Sequence, residues 1–125
     1  MKLSISAAFH NKTPSVKRAY SDGWVPLDLN SEQLAEYIEA GFAFSAQFEG
    51  QHRKSSNFMA CDFIAADIDG TMSLDAARAD PFISAHATLI YTTPSHGKDG
   101  KDRFRILFET PSTIESAAVW RDAGG

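Results

Sequence analysis

The sequence predicts an α+β domain: a mixed or antiparallel sheet with flanking helices. Three observations lead there. Several segments alternate apolar and polar residues with period two, as half-buried strands do. Two of them, residues 87–92 and 103–108, flank a short turn rich in glycine and charge, which makes them antiparallel hairpin partners. Helical segments are too few, and too irregularly placed between strands, for a doubly wound parallel sheet.

Taken in order, residues 2–9 alternate loosely and predict a strand. Residues 10–22 are polar and include Pro14, which predicts a loop with one short extended piece. The clearest helix lies between Leu29 and Gly41. Leu34, Tyr37 and Ile38 fall on one face, and Gly41 is a natural terminator. Asn30 and Ser31 are both candidate caps. Asn30 is favoured because Gln33 then completes a capping box, while Leu29 and Leu34 take the spacing of a hydrophobic staple. Residues 42–48 predict a strand, 49–56 a polar loop, and 58–68 a further strand. Residues 72–79 predict a short helix capped by Ser73, with Asp75 in its first turn. Residues 87–92 predict a buried strand, 94–101 a turn, and 103–108 another strand. Ser112-Thr-Ile-Glu115 has the spacing of a capping box and predicts a helix opening there.

The composition narrows the class. A chain of 125 residues, 43% hydrophobic with nine Phe, is long and apolar enough for one core, so 1–125 is expected to be a single domain. The net charge of −4 argues against a globally basic nucleic-acid binder but leaves room for local basic patches. Cys61 is the only cysteine, which leaves no intrachain disulfide and fits a reducing, cytoplasmic setting. The first residues lack the apolar centre of a signal peptide, and no apolar run approaches the ~20 residues of a membrane helix, so no membrane partner is expected.

The chemistry concentrates in Phe63-Ile-Ala-Ala-Asp67-Ile-Asp69-Gly70. An apolar run delivers two carboxylates to its own end. On a strand Asp67 and Asp69 share a face, while Ile68 takes the other. Two such charges repel unless a cation offsets them, and Mg²⁺ or Mn²⁺ takes carboxylate oxygens. The commonplace alternative is that Asp and Gly simply suit a turn at a strand end. Ser95 and His96 follow 27 residues after Asp69, a distance that suits a helical crossover to a neighbouring strand. There they would supply donors to a phosphate. Arg103 and Arg105 share a strand face, with Phe104 opposite, and paired guanidiniums suit a triphosphate. Arg53 and Lys54 form a smaller basic spot upstream, where Arg53 is the candidate for an incoming phosphate. His86, Trp24, Trp120 and Cys61 read as packing residues.

Together, Asp67-Ile-Asp69, Thr93-Pro-Ser95-His96 and Arg103-Phe-Arg105 resemble, in that order, the archaeo-eukaryotic primase superfamily, and within it the primase-polymerase domains of phages and plasmids. The resemblance spans about Ser31 to Pro111. It departs in the second motif, where Ser95 adjoins His96 instead of standing two residues before it. It implies a catalytic core like that of an RNA-recognition motif, of which residues 1–125 would be the N-terminal part. It further implies metal at Asp67 and Asp69, triphosphate binding by Ser95, His96, Arg103 and Arg105, and nucleotidyl transfer in DNA replication. Partners would be nucleoside triphosphates, single-stranded or primed DNA, and a helicase or further domain. The family's third acidic motif lies beyond this stretch; Asp122 follows Arg121 and not an apolar strand, so that role is not carried onto it. Two other readings stay open. Asp67-Ile-Asp-Gly-Thr71 resembles the first motif of haloacid dehalogenase-like phosphatases, with Asp67 as nucleophile and Asp69 as general acid. A non-catalytic binding module derived from the primase fold is the third.

Overall fold

The computed structural model describes residues 1–10 and 21–122. It is an α+β structure with two antiparallel sheets and flanking helices. The loop expected over 10–22 falls largely outside the described residues. The strands are β1 (Lys2–His10), β2 (Trp24–Asp28), β3 (Phe42–Ser45), β4 (Gln47–Phe48), β5 (Phe58–Asp69), β6 (Leu89–Thr92) and β7 (Arg103–Ile114). The helices are α1 (Ser31–Glu39), α2 (Leu74–Ala79), α3 (Pro81–His86) and α4 (Ala117–Asp122). Among the described residues no helix is long and apolar enough to cross a membrane.

The first sheet has the order β2-β1-β3 and the second β4-β5-β7-β6. Residues 42–48, expected as one strand, therefore split between two sheets. Phe44 pairs with Ile5 of β1, whereas Gln47 pairs with Ala60 of β5. The break falls at Ala46, which is fully buried and whose carbonyl accepts from the Ser4 hydroxyl. Strand β2 was not expected from the sequence. Its exposed Val25 and Pro26 obscure the alternation, and Pro26 is tolerated because β2 is an edge strand.

Helix α1 forms as its sequence predicts. The Asn30 side chain accepts from the Gln33 N–H at 2.8 Å, and Gln33 Oε1 accepts from the Asn30 N–H at 3.0 Å. The apolar face ends on fully buried Leu34, and Gly41, at φ +90°, takes the left-handed conformation that stops the helix. Ser73 caps α2 by accepting from the Ala76 N–H at 3.1 Å. Helix α3 was not expected; Asp80 caps it by accepting from the Phe82 and Ile83 N–H groups at 2.9 and 3.0 Å. Asp80-Pro81 is itself a start signal that the short apolar content hid.

Strand β7 is longer than predicted. It runs on through Pro111 and Ser112 to Ile114, which pairs with Cys61 of β5. The helix expected to open at Ser112 is thus displaced; α4 begins after Ser116, whose hydroxyl accepts from the Val119 N–H at 3.4 Å. Local capping spacing lost to a sheet partner that satisfies the same backbone groups.

Two cores result, one on each face of the second sheet. Between the sheets lie Leu3, Leu34, Phe48, Cys61, Phe63, Leu107 and their neighbours, closed by Trp120 stacked on Phe58 at 5.0 Å. On the opposite face α2 and α3 cover Phe104 and Ile106 with Ala77 and Ile83.

Candidate functional site

The end of β5 and the start of β7 lie side by side. Asp67 pairs with Arg105 and Asp69 with Arg103, while Tyr91 of β6 is opposite Arg105 on its other flank. Alternation puts Tyr91, Arg105 and Asp67 in one cross-strand row and Arg103 and Asp69 in the next, all on one face. Ile68 and Phe104 point the other way, into the core under α2 and α3.

The chain order that achieves this differs from expectation. The crossover from β5 through α2 and α3 does not return to a neighbouring strand. It passes to β6, one strand away, and β7 then enters between them. The two carboxylates thereby gain the two arginines as direct neighbours. The strand 87–92 is also half-buried and not buried, since β6 is the sheet edge.

Each carboxylate is held through Oδ1 by a guanidinium. Arg103 Nε donates to Asp69 at 2.6 Å, and Arg105 Nε donates to Asp67. The acids stand out in solvent, with Asp67 68% and Asp69 77% exposed, and the arginines lie lower at 29% for Arg105 and 18% for Arg103. The repulsion that the sequence assigned to the acidic pair is therefore offset by two protein cations. Burial, the largest single influence, works against the charge on Arg105, but the hydrogen bonds and charge attraction of Asp67 and Tyr91 together outweigh it and the guanidinium pKa is raised. Burial raises the Tyr91 phenol, against an opposing pull from Arg105.

Each guanidinium also has uncharged anchors. Arg105 Nη1 donates to the Tyr91 hydroxyl at 3.0 Å. Arg103 Nη1 donates to the carbonyls of Ser95 at 3.0 Å and Lys98 at 2.9 Å. Tyr91 is wedged in turn against Phe44 of β3, ring centres 6.3 Å apart.

Ser95 and His96 reach the same place through the β6–β7 turn. The Arg103 backbone N–H donates to His96 Nδ1 at 3.0 Å. Nδ1 is thus an acceptor, and the neutral ring carries its proton on Nε2, where it is a donor. The Ser95 hydroxyl stands 3.5 Å from that of Thr93. On the β5 side, the Gly70 N–H donates to the Asp102 carbonyl at 2.9 Å, and Asp102 Oδ2 accepts from the Leu74 N–H at 2.7 Å. Gly70 has φ +77°, and a Cβ there would come 2.9 Å from Lys101 Cδ, so the turn after Asp69 favours glycine.

Arg53 does not join this group. Its guanidinium stands 5.6 Å over the Trp24 ring, and its N–H donates to the Ser21 carbonyl at 2.6 Å. Tyr91 is the member that sequence reasoning missed as a site residue. Its signal was available as the strand position opposite Arg105, but only the register reveals it.

Hard oxygen ligands on one exposed face fit a divalent cation, with Oδ2 of each acid outside the ion pairs. Among the described residues no third His, Cys, Asp or Glu completes a cluster with them. A shallow groove of about 340 Å³, lined by Arg78, Ile83, Ser84, Ala87, Thr88, Leu89 and Ile90, contains none of these site residues. No protein-family model matches the chain, and no curated protein or solved structure is significantly similar to it.

Proposed function

We propose that this face is the cation and nucleoside triphosphate site of a metal-dependent nucleotidyl transferase, a primase or DNA polymerase of a mobile element with a primase-polymerase-like core. One observation carries the reading. Two acids and two arginines, 34 to 38 residues apart in sequence, meet on one sheet face, Asp67 beside Arg105 and Asp69 beside Arg103, and the turn of Ser95 and His96 that leads into β7 is bonded to Arg103. Asp67 and Asp69 would hold Mg²⁺ or Mn²⁺. Such a cation, when bound, lowers the pKa of an attacking hydroxyl and offsets charge on the leaving pyrophosphate. Arg103 and Arg105 bind and orient a triphosphate, which two guanidinium forks grip more firmly than point charges do. His96 presents its Nε2–H as a fixed neutral donor to the same group. Single-stranded or primed DNA would then cross the open face, and a helicase or further domain would act with the chain.

The experiment is titration of a fluorescent nucleoside triphosphate with Mg²⁺ present. Wild type should bind; His96→Ala and Arg105→Gln should weaken binding at least tenfold, and Asp67→Asn should remove its dependence on Mg²⁺. Absence of binding in wild type would defeat the proposal. Primer synthesis and extension would then be assayed with any adjoining sequence of the reading frame included.

A specific observation favours a second reading, a non-catalytic binding module: both acids already have cationic partners, and no third acid joins them among the described residues. Nucleotide or DNA binding that ignores Mg²⁺ and Mn²⁺ would select it. The phosphatase reading loses support, because among the described residues every strand pairing is antiparallel and Asp67 lies in no parallel sheet.

A further inference from the structure

We propose that the two Asp–Arg pairs are a latch: the site's own side chains neutralise one another, and it opens by exchange of partners, carboxylates to a divalent cation and guanidiniums to a polyphosphate. This rests on the function proposed above and adds to it how the site is regulated. The asymmetry of anchoring supports it. Arg105 also donates to the Tyr91 hydroxyl, and Arg103 to the Ser95 and Lys98 carbonyls, bonds that do not pass through the acids. Among the described residues the acids have no second anchor of that kind; Asp67 and Asp69 extend into solvent with one guanidinium each. Release of an acid thus leaves the guanidinium in place with Nε freed for an anion, and costs little because exposed ion pairs are weak. A lone cation must displace an arginine from each acid it takes, and a lone polyanion must displace an acid from each arginine. A chelate of the two satisfies all four charges at once, so each ligand favours the other.

The consequence runs against simple ligand roles. Removing an arginine should improve cation binding, and removing an acid should improve binding of a metal-free polyanion. The probes are Mn²⁺ alone, followed by electron paramagnetic resonance, and inorganic tripolyphosphate with chelator present, followed by calorimetry. Arg105→Gln should bind Mn²⁺ about threefold to fivefold more tightly than wild type, the fold-change that the stronger of exposed ion pairs allow. Asp67→Asn should bind metal-free tripolyphosphate more tightly by a similar factor. Asp99→Asn makes the same charge change in the nearby turn, outside both pairs, and should alter tripolyphosphate affinity less than twofold. Nitrogen-15 spectra should show the Arg103 and Arg105 Nε–H signals protected from exchange in free protein and shifted on adding Mg²⁺.

Equal gains in Asp67→Asn and Asp99→Asn would overturn the latch in favour of general charge, leaving the nucleotide site intact. Unprotected Nε–H signals in the free protein would overturn it as well. Failure of wild type and all variants to bind either probe would overturn the latch, while the proposed function is decided separately by the titration of nucleoside triphosphate with Mg²⁺ present. Matching far-ultraviolet spectra and melts, with Arg105→Lys as the charge-retaining control, exclude misfolding as the cause.

Discussion

The two faces of the β5–β7–β6 sheet are made by the same strands and share almost nothing else. On one face Ile68, Phe104 and Ile106 lie under α2 and α3. On the other, their immediate neighbours Asp67, Asp69, Arg103 and Arg105 meet solvent. Phe104 is fully buried between two arginines that are not. The difference teaches that the apolar face sets the charged one. A strand slipped by one residue would put the arginines under α2 and α3, where unpaired charge is prohibitive. Burial of Phe104 and Ile106 therefore holds the register that aligns Arg105 with Asp67 and Arg103 with Asp69.

The sharpest way to break that comparison is to empty the covered face. Phe104→Ala should cost about 3–5 kcal/mol in a urea melt, the usual cost of a large cavity. It should also weaken triphosphate binding without touching a site residue. A loss below about 1 kcal/mol would mean that this core does not hold the register.

Next in size is an effect of pH at the far end of the charged face, where β5 dips between the sheets. Burial raises the Cys61 thiol from 9.0 to about 11, against a lowering from a backbone hydrogen bond of Phe63. The folded pKa is the higher one, so this contribution is complete below pH 9 and is lost as pH rises through about 11. Melts should lose on the order of 2 kcal/mol across that window beyond the loss in Cys61→Ala. Parallel curves for the two proteins would reject a buried thiol.

Helix α1 belongs to neither face and separates support from site. Asn30→Ala should cost about 1 kcal/mol through loss of its cap and leave triphosphate affinity unchanged. A melt like that of wild type would shift the cap to Ser31.

The smallest stability effects belong to the exposed ion pairs. Arg105→Gln and Asp67→Asn should each change stability by less than about 1 kcal/mol, and 0.5 M salt should shrink the difference further. If either variant matched Phe104→Ala in cost, the charged face would be holding the fold, and the contrast drawn between the faces would collapse.

Much of this molecule was legible from local pattern alone. The cap of α1, the Ser73 cap of α2, the hairpin joining β6 to β7, and the shared face of Asp67 and Asp69 each depend on residues close in sequence. Side-chain period and turn chemistry suffice for such features. The tertiary structure decided what depends on distant partners: the division of residues 42–48 between sheets, the entry of β7 between β5 and β6, and its extension past Ser112. It also decided that Arg103 and Arg105 would meet the two acids, and that Arg53 would rest on Trp24 instead. The physical reason is common to all of these. A strand's backbone groups are satisfied only by another strand, and which one it finds follows from burial summed over the whole chain, a quantity no local window contains.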